Sequence, residues 1–212
     1  MTAKVSSLLE CRWRAPRDPR KYTRPPPPGD RRWSDLSAFC QLGPAPCPHS
    51  TPLCSFVGRF PLQGRRGAEE TEDCALDTIT FTVSRPVVLF AIGCQGGSET
   101  EVYAARIELR DGDSIQSPLL ADGSAEYVHI LIPPKPIFLT TPILIASDHA
   151  YTIVLSHRQK GPETVYGSGG QDTVHDARLD VIFKFFDTKD RPPASLTTVS
   201  YGQISHFYFH LE

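Results

Sequence analysis

Alternating apolar and polar residues predict short β-strands along most of the chain after residue 76. Thr78 to Val83 alternates three threonines with three large apolar residues, which predicts a half-buried strand, and Tyr103 to Arg110 alternates in the same way. Val87 to Ile92 is apolar on both faces and predicts a central strand. Further strands are expected at residues 127–132, 143–145, 151–155 and 179–185.

The closing stretch, Tyr201 to Phe209, predicts a turn at Gly202 followed by a last strand. Because side chains alternate across a strand, its two faces are expected to carry Ser205, Phe207 and Phe209 on one side and Ile204, His206 and Tyr208 on the other. Both faces therefore bear large apolar groups. We expect this strand to lie inside a sheet that earlier strands build.

Turn-forming residues separate the predicted strands. They are Asp111-Gly112-Asp113, Asp122-Gly123-Ser124 and Gly167 to Gly170, with Pro133, Pro134 and Pro136 ending one strand. Eight or more short strands with no convincing amphipathic helix predict an all-β fold, an antiparallel two-sheet β-sandwich of jelly-roll type. The missing helical crossovers argue against a parallel sheet.

Charge and proline divide the chain into two parts. The first 33 residues hold nine Lys or Arg against three acidic residues, although the 212-residue chain has a net charge of -2, and ten of its 20 prolines precede residue 54. We therefore predict a disordered basic arm over residues 1–53 and a folded domain over residues 54–212. The acidic body argues against nucleic-acid binding, and no apolar run is long enough for a membrane span.

The arm leaves several interpretations open. Arg24 to Gly29 favours a polyproline helix, either as an SH3-type ligand or as plain disordered sequence. The Arg-rich start also resembles a mitochondrial presequence, although Glu10 and Asp18 count against it. The sparse cysteines and the lack of any Asn, hence of N-glycosylation, indicate a cytoplasmic, reduced protein.

A loose cluster of Cys40, Cys47, His49 and Cys54 raises the question of zinc. Zinc sites usually take their Cys and His ligands in tight pairs, and this spacing does not supply them. Free thiols in a proline-rich segment are the expected state. We predict no metal and no cofactor.

Several short motifs, taken in order, resemble the PHR domain, which is named after the Pam–Highwire family of giant ubiquitin ligases and also occurs in BTB-domain adaptor proteins. The matching stretches are Arg59-Phe60, Asp77 to Val83, Ile92 to Gly97, Tyr103 to Leu109, Asp122 to Ser124, Tyr166-Gly167 and Gly202 to Ile204, which together cover roughly residues 54–211. The chain departs from the family at Gly64 to Gly67, where a tryptophan-rich turn is usual, and at Ser205, where proline is usual.

The resemblance implies a non-enzymatic module that recognises substrates or partners of ubiquitin-ligase components. We expect its protein partners to dock on glycine-rich loops at one end of the sandwich, with an exposed Tyr166 as the aromatic anchor. The expected binding residues are Gly93, Gly96, Gly97, Tyr166, Gly167, Gly202 and Gln203. The alternative is that these glycines serve only tight turns.

A different class of function is a sandwich that binds a sugar or small ligand, or a hydrolase on the same scaffold. It would require carboxylates or histidines that converge in a deep pocket, for which His175 with Asp172 and Asp176 is a candidate. The sequence has no Gly-x-Ser-x-Gly elbow and no P-loop. We therefore predict no catalytic residues, and solvated loop side chains at His175.

Overall fold

A computed structural model describes residues 54–67, 75–95, 102–128, 135–159, 163–193 and 195–212. These residues form thirteen strands and no helix, which confirms the all-β prediction. The strands are β1 (Cys54–Gly58), β2 (Leu62–Gly67), β3 (Ala75–Val83), β4 (Val87–Cys94), β5 (Val102–Asp111), β6 (Leu119–Val128), β7 (Lys135–Ile145), β8 (Tyr151–Gln159), β9 (Glu163–Ser168), β10 (Thr173–Asp176), β11 (Val181–Phe186), β12 (Tyr201–Gly202) and β13 (Ile204–Leu211).

The strands form two main sheets and one small one. A four-stranded sheet has the order β1-β13-β4-β7, and a six-stranded sheet has the order β10-β11-β3-β8-β5-β6. A three-stranded sheet joins β12, β9 and β2. Each pairing is antiparallel, so the predicted antiparallel sandwich is confirmed. The described residues include no helix long and apolar enough to cross a bilayer.

Aromatic rings from both main sheets fill the space between them. Phe81 of β3 lies 5.0 Å from Phe207 of β13, measured between ring centroids. Phe183 of β11 lies 5.0 Å from Phe209. Each of these side chains is at most 1% exposed. The expected core face of β3 is therefore confirmed, and the closing strand supplies two of the six buried core aromatics, Phe207 and Phe209.

The closing strand β13 lies between β1 and β4, inside the sheet as predicted. The predicted division of its faces is wrong at one position, because Ile204 joins Phe207 and Phe209 in the core. The pairing with β4 shifts register between Ile204 and His206. Such a bulge inserts an extra residue and re-aims the side chain before it. Ser205, inside the bulge, is buried and donates to the Gly93 carbonyl at 3.0 Å.

Asp122-Gly123-Ser124 was expected to be a turn, and this prediction is wrong. All three residues lie within β6, where Gly123 pairs with Ile107 of β5. A Cβ on Gly123 would overlap the carbonyl oxygen of Phe138 in β7. The glycine is therefore required by the close approach of β7, which belongs to the opposite sheet.

Several strand limits also differ from prediction. The strand expected over 127–132 begins earlier, at Leu119 of β6, and residues 129–132 lie outside the described residues. Pro136 lies inside β7, opposite Gly93. Gly167 and Ser168 belong to β9 rather than to a loop. The short strands β1, β2, β9, β10 and β12 were not predicted, since four to six residues, or only two in β12, carry too little alternation.

The threonine face of β3 is buried, although the alternation predicted a half-buried strand. Thr78 and Thr80 are 0% and 3% exposed. Thr80 Oγ1 lies 2.9 Å from Thr152 Oγ1 of β8 and 3.2 Å from Thr188 Oγ1. The segment after β11 therefore crosses the outer side of β3, where the Thr80 hydroxyl bonds the hydroxyls of Thr152 and Thr188 instead of water.

Candidate interaction surface

The structure brings together the loop residues that the sequence singled out. Gly202 pairs with Gly167 of β9, and the Gln95 amide donates to the Gln203 carbonyl at 2.9 Å. Gly93 pairs with His206, next to this contact. Gly96 and Gly97 lie outside the described residues. The three stretches therefore meet at one place in the sandwich.

The same residues are buried, so the expectation of an exposed Tyr166 is wrong. Tyr166 is 4% exposed, and its ring stacks on Tyr201 with centroids 5.0 Å apart and planes 14° from parallel. Gly167 lies directly beneath the Phe60 ring, which a Cβ would overlap. Tyr166 faces inwards because it belongs to a strand of the three-stranded sheet, not to a loop tip.

The turn at Gly202 and Gln203 is built around Thr197. Gly202 has φ = +145°, and a Cβ there would overlap the Thr197 side chain. The Gln203 amide donates to Thr197 Oγ1 at 3.2 Å, and Gln203 is fully buried. Gly202 belongs to β12 and the bend follows at Gln203, so the turn predicted at Gly202 lies one residue later, in packed surroundings.

Replacing Tyr166 therefore tests the packing of β9. We expect Tyr166→Ala to lower the free energy of unfolding by about 2–3 kcal/mol, because the variant loses a buried aromatic stack. Urea denaturation measures the effect. Tyr166→Phe, which keeps the stacked ring, should retain most of the stability. A Tyr166→Ala variant of native stability that loses its partners would instead restore Tyr166 as a binding anchor.

A Ser, a His and an Asp meet in the interior, which bears on the hydrolase alternative. The Asp77 carboxylate accepts from Ser195 Oγ at 3.3 Å and lies 3.2 Å from His157 Nε2. Each of the three side chains is at most 6% exposed. In a nucleophilic triad the hydroxyl bonds the imidazole and the carboxylate orients that imidazole. Here the Ser195 hydroxyl and the His157 imidazole both bond the Asp77 carboxylate, and all three groups are buried. This arrangement is suited to holding the segment around Ser195 in place.

Arg59, the first residue of the Arg-Phe motif, is also an interior residue. Its guanidinium donates to the Thr198 carbonyl at 3.0 Å and lies 4.6 Å from the Phe60 ring centroid. Burial lowers the pKa of Arg59 to about 9, while Asp187 and Asp77 act in the opposite direction, so the side chain stays charged at neutral pH. Arg59 fastens the segment before β12 to the sandwich.

The other candidate clusters are small. His175 pairs with exposed Asp180 at 3.1 Å, whereas Asp176 accepts hydrogen bonds from Ser55 and from two backbone amides. Within the described ranges no group of three or more His, Cys, Asp or Glu side chains could hold a metal ion.

Cys94 is a buried free thiol, and burial raises its pKa. Cys54 is disulfide-bonded, so the free thiol expected there is wrong. Cys40, Cys47, His49 and the rest of the predicted arm lie outside the described residues.

The outer side of the four-stranded sheet carries a surface that sequence reasoning missed. Phe56 of β1, Phe138 of β7 and Leu144 of β7 are 46%, 45% and 49% exposed. Between them lie half-buried side chains from β13 and β4. We call this surface the aromatic face: Phe56, Val88, Phe90, Phe138, Leu144, His206, Tyr208 and His210.

The rings of the aromatic face form a continuous layer across the four strands. Phe56 lies 5.8 Å from Tyr208, Tyr208 lies 6.4 Å from Phe90, and Phe90 lies 6.5 Å from Phe138, all between ring centroids. Cross-strand pairing fixes this order, because Phe56 is opposite Tyr208 and Phe138 is opposite Ala91, next to Phe90. The layer therefore runs from one edge of the sheet to the other.

The aromatic face contains no Asp, Glu, Lys or Arg. Among the residues of these four strands, only Lys135 is Asp, Glu, Lys or Arg. Burial lowers the pKa of His206 to about 4, so its imidazole is neutral, and burial raises the pKa of Tyr208 to about 12, so its hydroxyl keeps its proton. The chemistry offered to a partner is ring surface with a few uncharged hydrogen-bonding groups.

One sequence signal did point to this surface. Val87 to Ile92 and the closing strand are apolar on both faces, and both were interpreted as strands buried in the sheet. They are central strands, but only one of their faces meets the core. Phe56 and Phe138 could not be assigned to this surface from the sequence, since β1 was not predicted and β7 was predicted only from Ile143 onwards.

The described residues thus form an antiparallel β-sandwich with exposed aromatic rings on one outer face. The family model of the PHR domain matches residues 58–210, so the chain belongs to the PHR domain family, which confirms the motif-based prediction. Domains of this family are of the protein-interaction type and are generally non-catalytic. Comparison with curated proteins gives no match.

Proposed function

We propose that this chain recognises a protein partner through the aromatic face and acts as a recognition module for ubiquitin-ligase components. The observation that carries the proposal is the exposure of Phe56, Phe138 and Leu144 around an unbroken layer of rings. Contiguous apolar surface of this kind marks interaction sites in soluble domains. The link to ubiquitin ligases is supported by the proteins in which PHR-like domains occur.

The chemistry of the face also limits the partner. An uncharged surface gives no electrostatic compensation to a charged segment, which would lose hydration on docking. Aromatic residues supply large contact areas at low cost in conformational entropy, and Tyr adds a hydroxyl for hydrogen bonding. We therefore expect an uncharged, apolar segment of a partner protein, bound in an extended form along the rings.

The double variant Phe56→Ala/Phe138→Ala tests this proposal. We expect it to fold normally, because both side chains are nearly half exposed, and to lose about 1–2 kcal/mol or more of partner binding. Affinity capture of the tagged full-length chain, followed by mass spectrometry, measures which proteins are retained. Ligase components should be among those that depend on the face.

Phe186→Ala is the matched control. Phe186 is 46% exposed, as Phe56 is, but it lies on β11 of the six-stranded sheet. This control should retain every partner of the unaltered chain. Equal recovery by the double variant would refute the aromatic face as the site, and a specific set of partners without any ligase component would refute only the link to ubiquitin ligation.

A further inference from the structure

The sequence just before β1 has the same chemistry as the partner expected on the aromatic face. Residues 37–53 contain no Asp, Glu, Lys or Arg, and they include four prolines with Phe39 and Leu42. This uncharged stretch contrasts with residues 1–33, which carry a net +6. We call residues 37–53 the proline segment.

The chain enters the sandwich at the border of the aromatic face. The proline segment leads into Cys54, the first residue of β1, and Cys54 is paired with His210 of the face. Phe56 follows two residues later and begins the layer of rings. On the other side of β1, the Cys54 carbonyl accepts from Arg178 and the Ser55 hydroxyl bonds Asp176. These contacts lie on the side towards the six-stranded sheet, whereas Phe56, Phe138 and Leu144 of the aromatic face are nearly half exposed.

The proline segment is long enough to cover the face. Crossing from β1 to β7 spans three gaps between neighbouring strands, about 14 Å at about 4.8 Å each. Ten residues, the number in 44–53, would span about 31 Å if they formed a polyproline helix, at about 3.1 Å per residue. A segment of this length is therefore long enough to span the aromatic face from β1 to β7.

The contacts that each side offers are complementary. Proline-rich segments dock on aromatic surfaces because they are already extended, and little conformational entropy is lost on binding. Their carbonyls have no internal hydrogen-bond partners, and the Tyr208 hydroxyl, protonated at neutral pH, is a donor on the face. Because neither side is charged, no ionic group has to be desolvated without compensation.

We propose that the proline segment docks on the aromatic face of its own chain and competes there with the partner. The competition rests on the proposed function, but the docking does not. The consequence is that the proline segment covers the aromatic face until a partner with a better-fitting segment displaces it. If the cover occupies the face more than about 90% of the time, the apparent affinity for an outside ligand falls at least about tenfold.

Cleavage by chymotrypsin tests the docking on the full-length chain. Phe39 and Leu42 are cleavage sites inside the proline segment. Cleavage of a reversibly covered site follows the population of the open form. We expect Phe56→Ala/Phe138→Ala to be cut there at least about tenfold faster than the unaltered chain, and Phe186→Ala to be cut at the unaltered rate. Equal rates for all three chains would overturn the proposal.

A peptide of residues 37–53, with Cys40 and Cys47 replaced by Ser, provides a second test in reducing buffer. The receptor is the full chain with the substitutions Phe39→Ser, Leu42→Ser, Pro46→Ser and Pro48→Ser, which should leave the face open. We expect this receptor to bind the peptide at least about tenfold more tightly than the unaltered chain does. Adding Phe56→Ala/Phe138→Ala should remove the difference, whereas adding Phe186→Ala should not. If the peptide binds the four-substitution receptor and the unaltered chain equally tightly, the proline segment does not dock on the aromatic face of its own chain.

Sedimentation of the same chains distinguishes another occupant. If the unaltered chain dimerises and Phe56→Ala/Phe138→Ala makes it monomeric, a second copy covers the face and the proposal is wrong. The partner test remains separate. Loss of partners from the double variant with unchanged cleavage would refute only the docking, whereas faster cleavage with unchanged partner recovery would refute only the proposed function.

Discussion

Phe81→Ala is expected to lower the free energy of unfolding by about 3–5 kcal/mol, because it removes the side chain that joins the two main sheets. The Phe81 ring is fully buried and lies within 5.9 Å of Tyr151 and 5.0 Å of Phe207. Its loss leaves a cavity between strands that pair through their backbones and cannot move closer easily. Urea denaturation followed by circular dichroism measures the change in midpoint.

The control for Phe81 is Phe186→Ala. Phe186 lies on the opposite side of neighbouring β11 and is 46% exposed, so its removal should shift the midpoint little. Phe81→Leu should have an intermediate effect, since it keeps most of the buried volume. A midpoint unchanged in Phe81→Ala would mean that the register of β3 is wrong.

Asp77→Ala should cost a similar amount, about 3–5 kcal/mol, for a different reason. Asp77 Oδ1 accepts from the amides of Leu196 and Thr197 at 3.1 Å and 3.0 Å. Asp77 Oδ2 lies 3.2 Å from His157. Removing the carboxylate leaves these buried donors without their acceptor, and an unsatisfied buried donor retains its full desolvation penalty.

Hydrogen exchange separates this local effect from general destabilisation. In Asp77→Ala, the amides of Leu196 and Thr197 should exchange faster than the remaining backbone, because the segment that carries them is released first. Asp77→Asn keeps one carbonyl oxygen as an acceptor and should protect these amides in part. Native protection of both amides in Asp77→Ala would show that other contacts hold the segment.

The core could be predicted from the sequence because it depends on alternation alone. Ile79, Phe81 and Val83 share a face of β3 by their spacing, and the structure buries all three. The cover over Thr78 and Thr80 could not be predicted, since it comes from a segment after β11 with no regular pattern. A strand with one face in solvent and a strand with that face covered by a polar segment show the same alternation of apolar and polar residues.

Glycine signals were ambiguous for a related reason. Asp122-Gly123 has turn chemistry, yet Gly123 is required by the backbone of a strand that follows later in the chain. Gly202 also has turn chemistry, and it has a positive φ at the end of β12, directly before the bend at Gln203. Only the approach of another segment distinguishes the two cases. The prediction of Tyr166 as an exposed binding residue was wrong for the same reason. Gly167 and Ser168, which follow Tyr166, are typical of loops, but Tyr166 is paired within a sheet.

The central place of β13 has a consequence for synthesis of the protein on the ribosome. β4 and β7 emerge early and can pair with each other, but the strand that separates β4 from β1 is made last. Until residue 211 leaves the exit tunnel, Phe81 and Phe183 lack their partners from β13, and the edge of β4 is unpaired. Nascent chains with such edges are prone to wrong pairing and depend on chaperones. Translation that terminates before Ile204 would release a chain without Phe207 and Phe209, the core aromatics that β13 packs against the six-stranded sheet, and such a chain should be a target for quality control.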